Sequence, residues 1–303
     1  MEGKRPFKYW IYAAHPWAIP ASASPALVGY SYLFYLYKTG VVTDVNWLNG
    51  AIAVLGAIVF HLSGNIIGDY QDYMSGVDQK EKTGPLRVLV LKIFKPKTIL
   101  IYGYVMLFIG IAVGIYLYLQ TGWPLLIFGI VAIISSTLYY KFKYIALGDV
   151  IIFLSFGLMV ALGVVYVLSL QLIWTTLLVV SPTGLLIVAI LHANNTRDML
   201  QDKSAGIRTQ AMNLGLEGSQ IVYQTLLFVA YLIIAFAVLF NVLHPASFLV
   251  LLSFPMAIKN IKLMKQAKEE DLGIIRFLDT HTAQLVLVFS LLLVAGNVIA
   301  AYI

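Results

Sequence analysis

Apolar residues run along this chain in long stretches separated by short polar breaks. They fall roughly at 17–37, 46–68, 98–119, 122–139, 147–168, 172–193, 219–240, 245–262 and 281–302. Each is close to the ~20 residues that a helix needs to cross the hydrocarbon of a bilayer. Backbone polar groups in lipid must be satisfied within the segment, which selects helices. A membrane barrel would show alternating segments of about ten residues, and the sequence has none. The pattern predicts an all-α membrane protein, a single domain over residues 1–303. About nine transmembrane helices enclose a central cavity that opens to cytosol and lipid.

Composition agrees. Of 303 residues, 60% are hydrophobic and 11% charged, where a soluble domain carries about 25% charged residues. There is no cysteine, which excludes disulfides, thiolate chemistry and Cys-ligated metals. Lys4, Arg5 and Lys8 followed by Ala21-Ser22-Ala23 imitate a secretory signal. His15, Pro16 and Pro20 break its apolar stretch, however, and hydrophobicity continues to Tyr37. The segment reads as a cytosolic stub entering the first helix.

Charge orients the helices. With nine spans, 19 of the 20 Lys and Arg fall on one face, and only Lys38 lies opposite. The positive-inside rule makes the rich face cytoplasmic, with the N-terminus inside and the C-terminus outside. The net charge of +6 is therefore topology and not a footprint for nucleic acid. The loops on the outer face are very short, such as Gln120-Thr121-Gly122. Those after the second and sixth spans are long and polar, and they resemble each other at a separation of about 130 residues. Two pseudo-repeats, roughly 15–145 and 146–303, would share one site between them.

The first of these loops follows Asn65, Asp69 and Asp72, which share one helical face. Gly76 permits a turn, and Asp78 can fold back towards that face. In the second, Asn194, Asp198 and Asp202 again share a face. Five carboxylates unpaired at the bilayer midplane would cost on the order of 12 kcal/mol, so they must line a wet cavity or bind cations. Hard oxygen donors without Cys or a His cluster suit Mg²⁺, which takes one or two carboxylates plus phosphate oxygens. Arg87, Lys143, Arg197 and Arg208 can bind the remaining oxygens of a diphosphate. An allylic diphosphate ionises when the charge on its leaving group is neutralised, and its cation needs a water-poor pocket. An interfacial loop with ion pairs to Lys80, Lys82 and Lys203 would explain one cluster. It explains poorly two clusters on one face, each with an Asn a turn before. An ion-coupled transporter would set its acids near the midplane, whereas these sit at helix ends on one side.

At these residues the chain resembles the UbiA superfamily of intramembrane prenyltransferases, through Asn65-x-x-x-Asp69 with Asp72 and through Asp198-x-x-x-Asp202. Within it, Gly84-Pro-Leu-Arg87 and Asn194-Asn195-Thr-Arg197-Asp198 are similar to the naphthoate branch, the 1,4-dihydroxy-2-naphthoate polyprenyltransferases of menaquinone synthesis. The resemblance implies a Mg²⁺-dependent enzyme. It would transfer a polyprenyl group from its diphosphate to the naphthoate with decarboxylation, forming demethylmenaquinone. It implies Asp69, Asp72, Asp198 and Asp202 as metal ligands, with Asn65, Asn194, Asn195, Arg87, Arg197, Arg208 and Asp78 on the substrates. The family's Tyr-x-x-x-Lys motif is matched by Tyr139 and Lys143. Lys143 would bind the diphosphate and Tyr139 would steady the cation or the acceptor; the plainer alternative is an interfacial Tyr with a snorkelling Lys. His15 stands where the family carries a basic residue, and Gly68 where Asn is common before Asp69. A 4-hydroxybenzoate-type enzyme is the alternative acceptor class. The expected location is a bacterial inner or plasma membrane, with the active site cytoplasmic.

Overall fold

A computed structural model describes residues 6–78 and 87–303. Lys4, Arg5, Lys80, Lys82 and the Gly84-Pro85 pair lie outside the described residues. Twelve α-helices follow in chain order: α1 Phe7–Ala13, α2 Pro20–Lys38, α3 Trp47–Met74, α4 Pro96–Thr121, α5 Leu125–Tyr144, α6 Gly148–Ile152, α7 Val160–Ser169, α8 Thr175–Arg197, α9 Met199–Ser204, α10 Gln210–Leu239, α11 Phe254–Met264 and α12 Leu278–Ala300. Among the described residues no strand forms beyond two isolated bridges.

Among the described residues, eight spans are long and apolar enough to cross a membrane. The predicted first span is present as α2, which is 19 residues long. Its two prolines, three serines and four tyrosines make it more polar than the other eight. The protein is thus an all-helical integral membrane protein with about nine spans. α8 is the spine, with 67% of its most apolar window buried, whereas α5 buries 6% of its own and faces lipid. The main core joins α2, α7, α8, α10, α11 and α12. A second cluster seats the short α1 through Ala13 and Trp10 on Phe94, Val88 and Ile66.

The spans depart from regular helix in three places. Between α6 and α7, Phe153–Met159 winds as a π-helix, so the predicted span 147–168 changes pitch midway. A Cβ on Gly184 would stand 2.5 Å from the Gly157 Cα, so this wide turn lies directly on the α8 backbone. The predicted span 245–262 starts as a 3₁₀ helix, Pro245–Ser253, before α11. The span predicted from 219 begins at Gln210, with a break at Gly215 (φ 69°).

Candidate active site

α3 has 28 residues and is therefore about 42 Å long, longer than the ~30 Å hydrocarbon layer. Its last turns, which carry Asn65, Asp69 and Asp72, can thus reach the interface. The helix ends in a Schellman motif. Ser75 is the C-cap and Gly76 follows at φ 73°. The Val77 N–H donates to the Asp72 carbonyl at 2.9 Å and the Gly76 N–H to the Tyr73 carbonyl at 3.2 Å. α9 ends in the same way. Ala205 is the C-cap, Gly206 sits at φ 73°, the Ile207 N–H donates to the Asp202 carbonyl at 3.2 Å and the Gly206 N–H to the Lys203 carbonyl at 3.2 Å. Val77 and Ile207, the residues after each glycine, are both buried. Asp72 and Asp202 therefore hold equivalent places, three residues before the C-cap of two similarly terminated helices.

Asp198 and Asp202 are not on one uninterrupted helix. α8 stops at Arg197, Asp198 is the junction, and α9 begins at Met199. The four-residue register survives the joint, since the Asp198 N–H donates to the Asn194 carbonyl at 3.0 Å and the Asp202 N–H to the Asp198 carbonyl at 2.8 Å.

Each acid has its own setting. Asp69 is buried; its Oδ2 lies 2.8 Å from His15 Nε2 and its Oδ1 3.4 Å from Arg87 Nε. Arg87 also approaches Asp78 at 3.9 Å. Burial works against the Arg87 charge, but Asp69, Asp78 and Asp72 outweigh it and hold its pKa above the ordinary value. Asp72 accepts from Lys143 Nζ at 3.1 Å and from the Tyr144 hydroxyl at 2.7 Å. Asp202 is buried near the end of α9. The backbone links α5 to the residues just beyond α9: the Arg208 N–H donates to the Tyr144 carbonyl at 3.2 Å. Asp198 is held at both oxygens by Arg197, at 2.7 and 2.9 Å.

The other sequence candidates divide. Asn65 Nδ2 reaches His61 Nε2 at 3.3 Å. Arg197 is buried and fully engaged. Besides Asp198 it contacts Asn194, the Arg276 carbonyl at 3.1 Å and Asp279 at 2.8 Å, so it clasps α8 to the start of α12. Asn195 is buried on α8. The Arg208 side chain is exposed and turns to Asn213. Among the described residues the buried Tyr139 hydroxyl finds no partner. Sequence reasoning missed Tyr144, the His15–Asp69 contact, and a buried pair of Asp149 with His192 at 2.9 Å.

Among the described residues no three His, Cys, Asp or Glu side chains gather closely enough to cage a metal unaided. Mg²⁺ asks less of the protein, keeping waters and phosphate oxygens around one or two carboxylates. Two pairs of hard oxygen donors on facing helix ends suit a metal that arrives with a diphosphate. A partly open apolar cavity of about 560 Å³ lies between α3, α4, α5, the π-turn and α7, lined by residues such as Phe60, Phe128, Ser135, Phe156 and Val164. His61 closes its wall one turn before Asn65, which joins the apolar space to the acidic end.

The model of the UbiA prenyltransferase family matches residues 22–278. The UbiA prenyltransferase domain-containing protein 1 of Rattus norvegicus is 34% identical over 303 residues, covering 96% of this chain and 83% of the relative. That of Danio rerio is 36% identical over 261 residues, covering 82% and 73%. These names give a family and no acceptor, so they do not reach the naphthoate branch, and as animal proteins they lend a bacterial origin no support. Among solved structures, a UbiA homolog from Aeropyrum pernix K1 in its apo form superposes with a TM-score of 0.67 at 14% identity, over 91% of this chain and 97% of the other. A homolog from Archaeoglobus fulgidus bound to GPP and Mg²⁺ gives 0.56 at 14% identity, over 94% and 99%.

Proposed function

Because this chain belongs to the UbiA prenyltransferase family, we propose that it transfers a polyprenyl group from polyprenyl diphosphate to 1,4-dihydroxy-2-naphthoate, with loss of the carboxylate, at the cytoplasmic ends of α3 and α9. The observation that carries the reading is Lys143, which touches Asp72 at the end of α3 while the next residue's carbonyl, on Tyr144, accepts from the Arg208 N–H just beyond α9. One cation beside two acid-bearing helix ends is a frame for a diphosphate.

Asp69, Asp72, Asp198 and Asp202 would hold Mg²⁺. Bound there, the metal would neutralise charge growing on the departing diphosphate. The chain's residues do the rest. Lys143 and Arg87 are charged donors at the same end and bind diphosphate oxygens as their contacts to Asp72 and Asp69 loosen. Asn65 and Asn194 offer amide groups one turn before the acids. The prenyl chain lies in the cavity beyond His61, where apolar walls keep water from the allylic cation. Phe156 lines that cavity edge-on to His61, 4.8 Å between centroids, and offers an aromatic face to the cation. Tyr166 instead ties α7 to the Thr121 carbonyl at the far end of α4, away from the reacting centre.

The acceptor rests on the Asn194-Asn195-Thr196-Arg197-Asp198 run and on Gly84 to Arg87. A dihydroxynaphthoate ring is more electron-rich than a monohydroxybenzoate ring and captures a cation over a lower barrier, each 1.36 kcal/mol being tenfold in rate. The deciding assay supplies one prenyl diphosphate with both acids, each carrying carboxyl label. Labelled carbon dioxide from the naphthoate and a prenylated naphthol are the expected products. Prenylated 4-hydroxybenzoate with its label retained, as the main product, would reassign the acceptor. No Mg²⁺-dependent diphosphate release with any prenyl donor would defeat the enzyme reading in favour of transport.

A further inference from the structure

Beside the acid-bearing helix ends lies a cluster of buried polar atoms that the reading above leaves unused. Asp149 opens α6 and His192 lies on α8; both are buried, the imidazole completely. His192 Nδ1 is 2.9 Å from Asp149 Oδ2. Among the described residues, Asp149 Oδ1, His192 Nε2 and the Tyr139 hydroxyl find no hydrogen-bond partner. Gly148 shows that their three helices meet. A Cβ there would stand 3.5 Å from the Tyr139 hydroxyl, 3.3 Å from the Lys143 Cα and 3.7 Å from the side chain of Leu191, the neighbour of His192. A buried polar atom without a partner costs about 1–3 kcal/mol, and native proteins leave few. Three on helices that meet beside Lys143 call for a polar group that comes from outside the chain.

The pairing orients the imidazole, since a carboxylate accepts the Nδ1 hydrogen. In the neutral ring so oriented, Nε2 is the nitrogen that carries the lone pair. An imidazole so oriented, in a place closed to bulk water, is equipped to take a proton from a hydroxyl.

We propose that His192, oriented by Asp149, is the base that takes the hydroxyl proton of the aromatic acceptor, with the Tyr139 hydroxyl steadying the same oxygen; this rests on the prenyl-transfer reading. The C1–O bond of the allylic diphosphate breaks and its electron pair leaves with the diphosphate. The acceptor's O–H proton passes to Nε2, and that pair forms the ring C=O. The ring's π pair at the adjacent, carboxyl-bearing carbon makes the new bond to C1. Carbon dioxide then leaves that carbon, its bonding pair restores the aromatic ring, and Nε2 returns the proton to the oxygen. Atoms and charge balance without another reagent.

The test follows the fate of the prenyl group in His192→Gln, Asp149→Asn and the double variant, in purified full-length protein with Mg²⁺, prenyl diphosphate and acceptor. The readout is the ratio of prenylated acceptor to free prenyl alcohol, which does not depend on how much protein is folded. Each single variant should lower that ratio about 100-fold or more, and the double variant should be little worse than either, as members of one unit are not additive. Acceptors with more acidic hydroxyls should recover part of the loss. An unchanged ratio, or equal loss of both products, would overturn the role of His192. Absence of both products in the parent chain would instead be the failure of the prenyl-transfer reading.

Discussion

At the scale of single residues, the acids are distinguished by what they touch. Asp72 pairs with Lys143 at 3.1 Å, and both are largely buried at 17% and 12% exposure. Asp72→Asn should abolish turnover and also lower stability by about 1–3 kcal/mol, because a largely buried lysine loses the carboxylate that it touches. Adding Lys143→Met should restore the melting temperature without restoring turnover; a double variant no more stable than Asp72→Asn would show that the pair is not the cause. Asp69→Asn and Asp202→Asn should insert and fold yet lose turnover, and Lys143→Ala should raise the KM for the donor. Steady-state rates at saturating and limiting Mg²⁺ separate these cases, and near-normal turnover of either aspartate variant at low Mg²⁺ would remove that residue from the site. Asn65, Asp69 and Asp72 were legible as one face because a helix repeats every 3.6 residues. The partner of Asp69 was not, because His15 lies 54 positions away on a left-handed bend (φ 55°) that no local pattern announces. Tyr144 escaped because the Tyr139–Lys143 spacing pointed to a different tyrosine, and the Asp149–His192 pair because its members are 43 residues apart.

At the scale of elements, the twin helix ends do most to place the chemistry. Gly76 and Gly206 both stand at φ 73° with nothing within 4 Å of a Cβ, so an added methyl group meets conformational strain and no clash. Gly76→Ala and Gly206→Ala should each cost about 1 kcal/mol. Their turnover should fall further than that loss implies, because the strain is relieved by moving Asp72 or Asp202. Parallel melting curves and rates decide this; a fall in stability with unaltered kcat would mean the motif only ends the helix. The glycines and their spacing were visible in the sequence, as were the apolar spans. The π-turn at Phe153–Met159, the 3₁₀ start at Pro245 and the joint at Asp198 were not. Hydropathy records which residues prefer lipid and is blind to whether a carbonyl bonds three, four or five residues on. The π-turn has its reason in tertiary contact, where Gly157 meets Gly184, and that contact has no sequence period.

At the scale of the whole molecule, the positive side should face the cytosol. The chain lacks cysteine, so single cysteines report directly. Lys268→Cys should react with an impermeant maleimide only after the membrane is opened, and Gln171→Cys should react on intact cells; the reverse pattern would invert the topology. Removing Mg²⁺ with a chelator should stop diphosphate release while shifting the melting temperature little, since among the described residues no acid cluster cages a metal unaided. A large drop in melting temperature without donor present would point to a structural ion. The approximate number and the length of the spans were readable, because lipid imposes them on each segment separately. Which span lies beside which was not, because helices choose neighbours by small-residue contacts and scattered polar pairs.

One such pair joins the two ends of the chain: the Asn297 amide on α12 donates to the Ser31 hydroxyl on α2 at 3.0 Å, deep in the core. The ribosome makes α2 well before α12. Until α12 emerges, α2 must therefore wait in the bilayer with Ser31 exposed along a seam that α12 will later cover. A nascent chain stalled before Leu278 would carry that uncovered seam, a mark by which membrane quality control could tell an unfinished copy from a finished one.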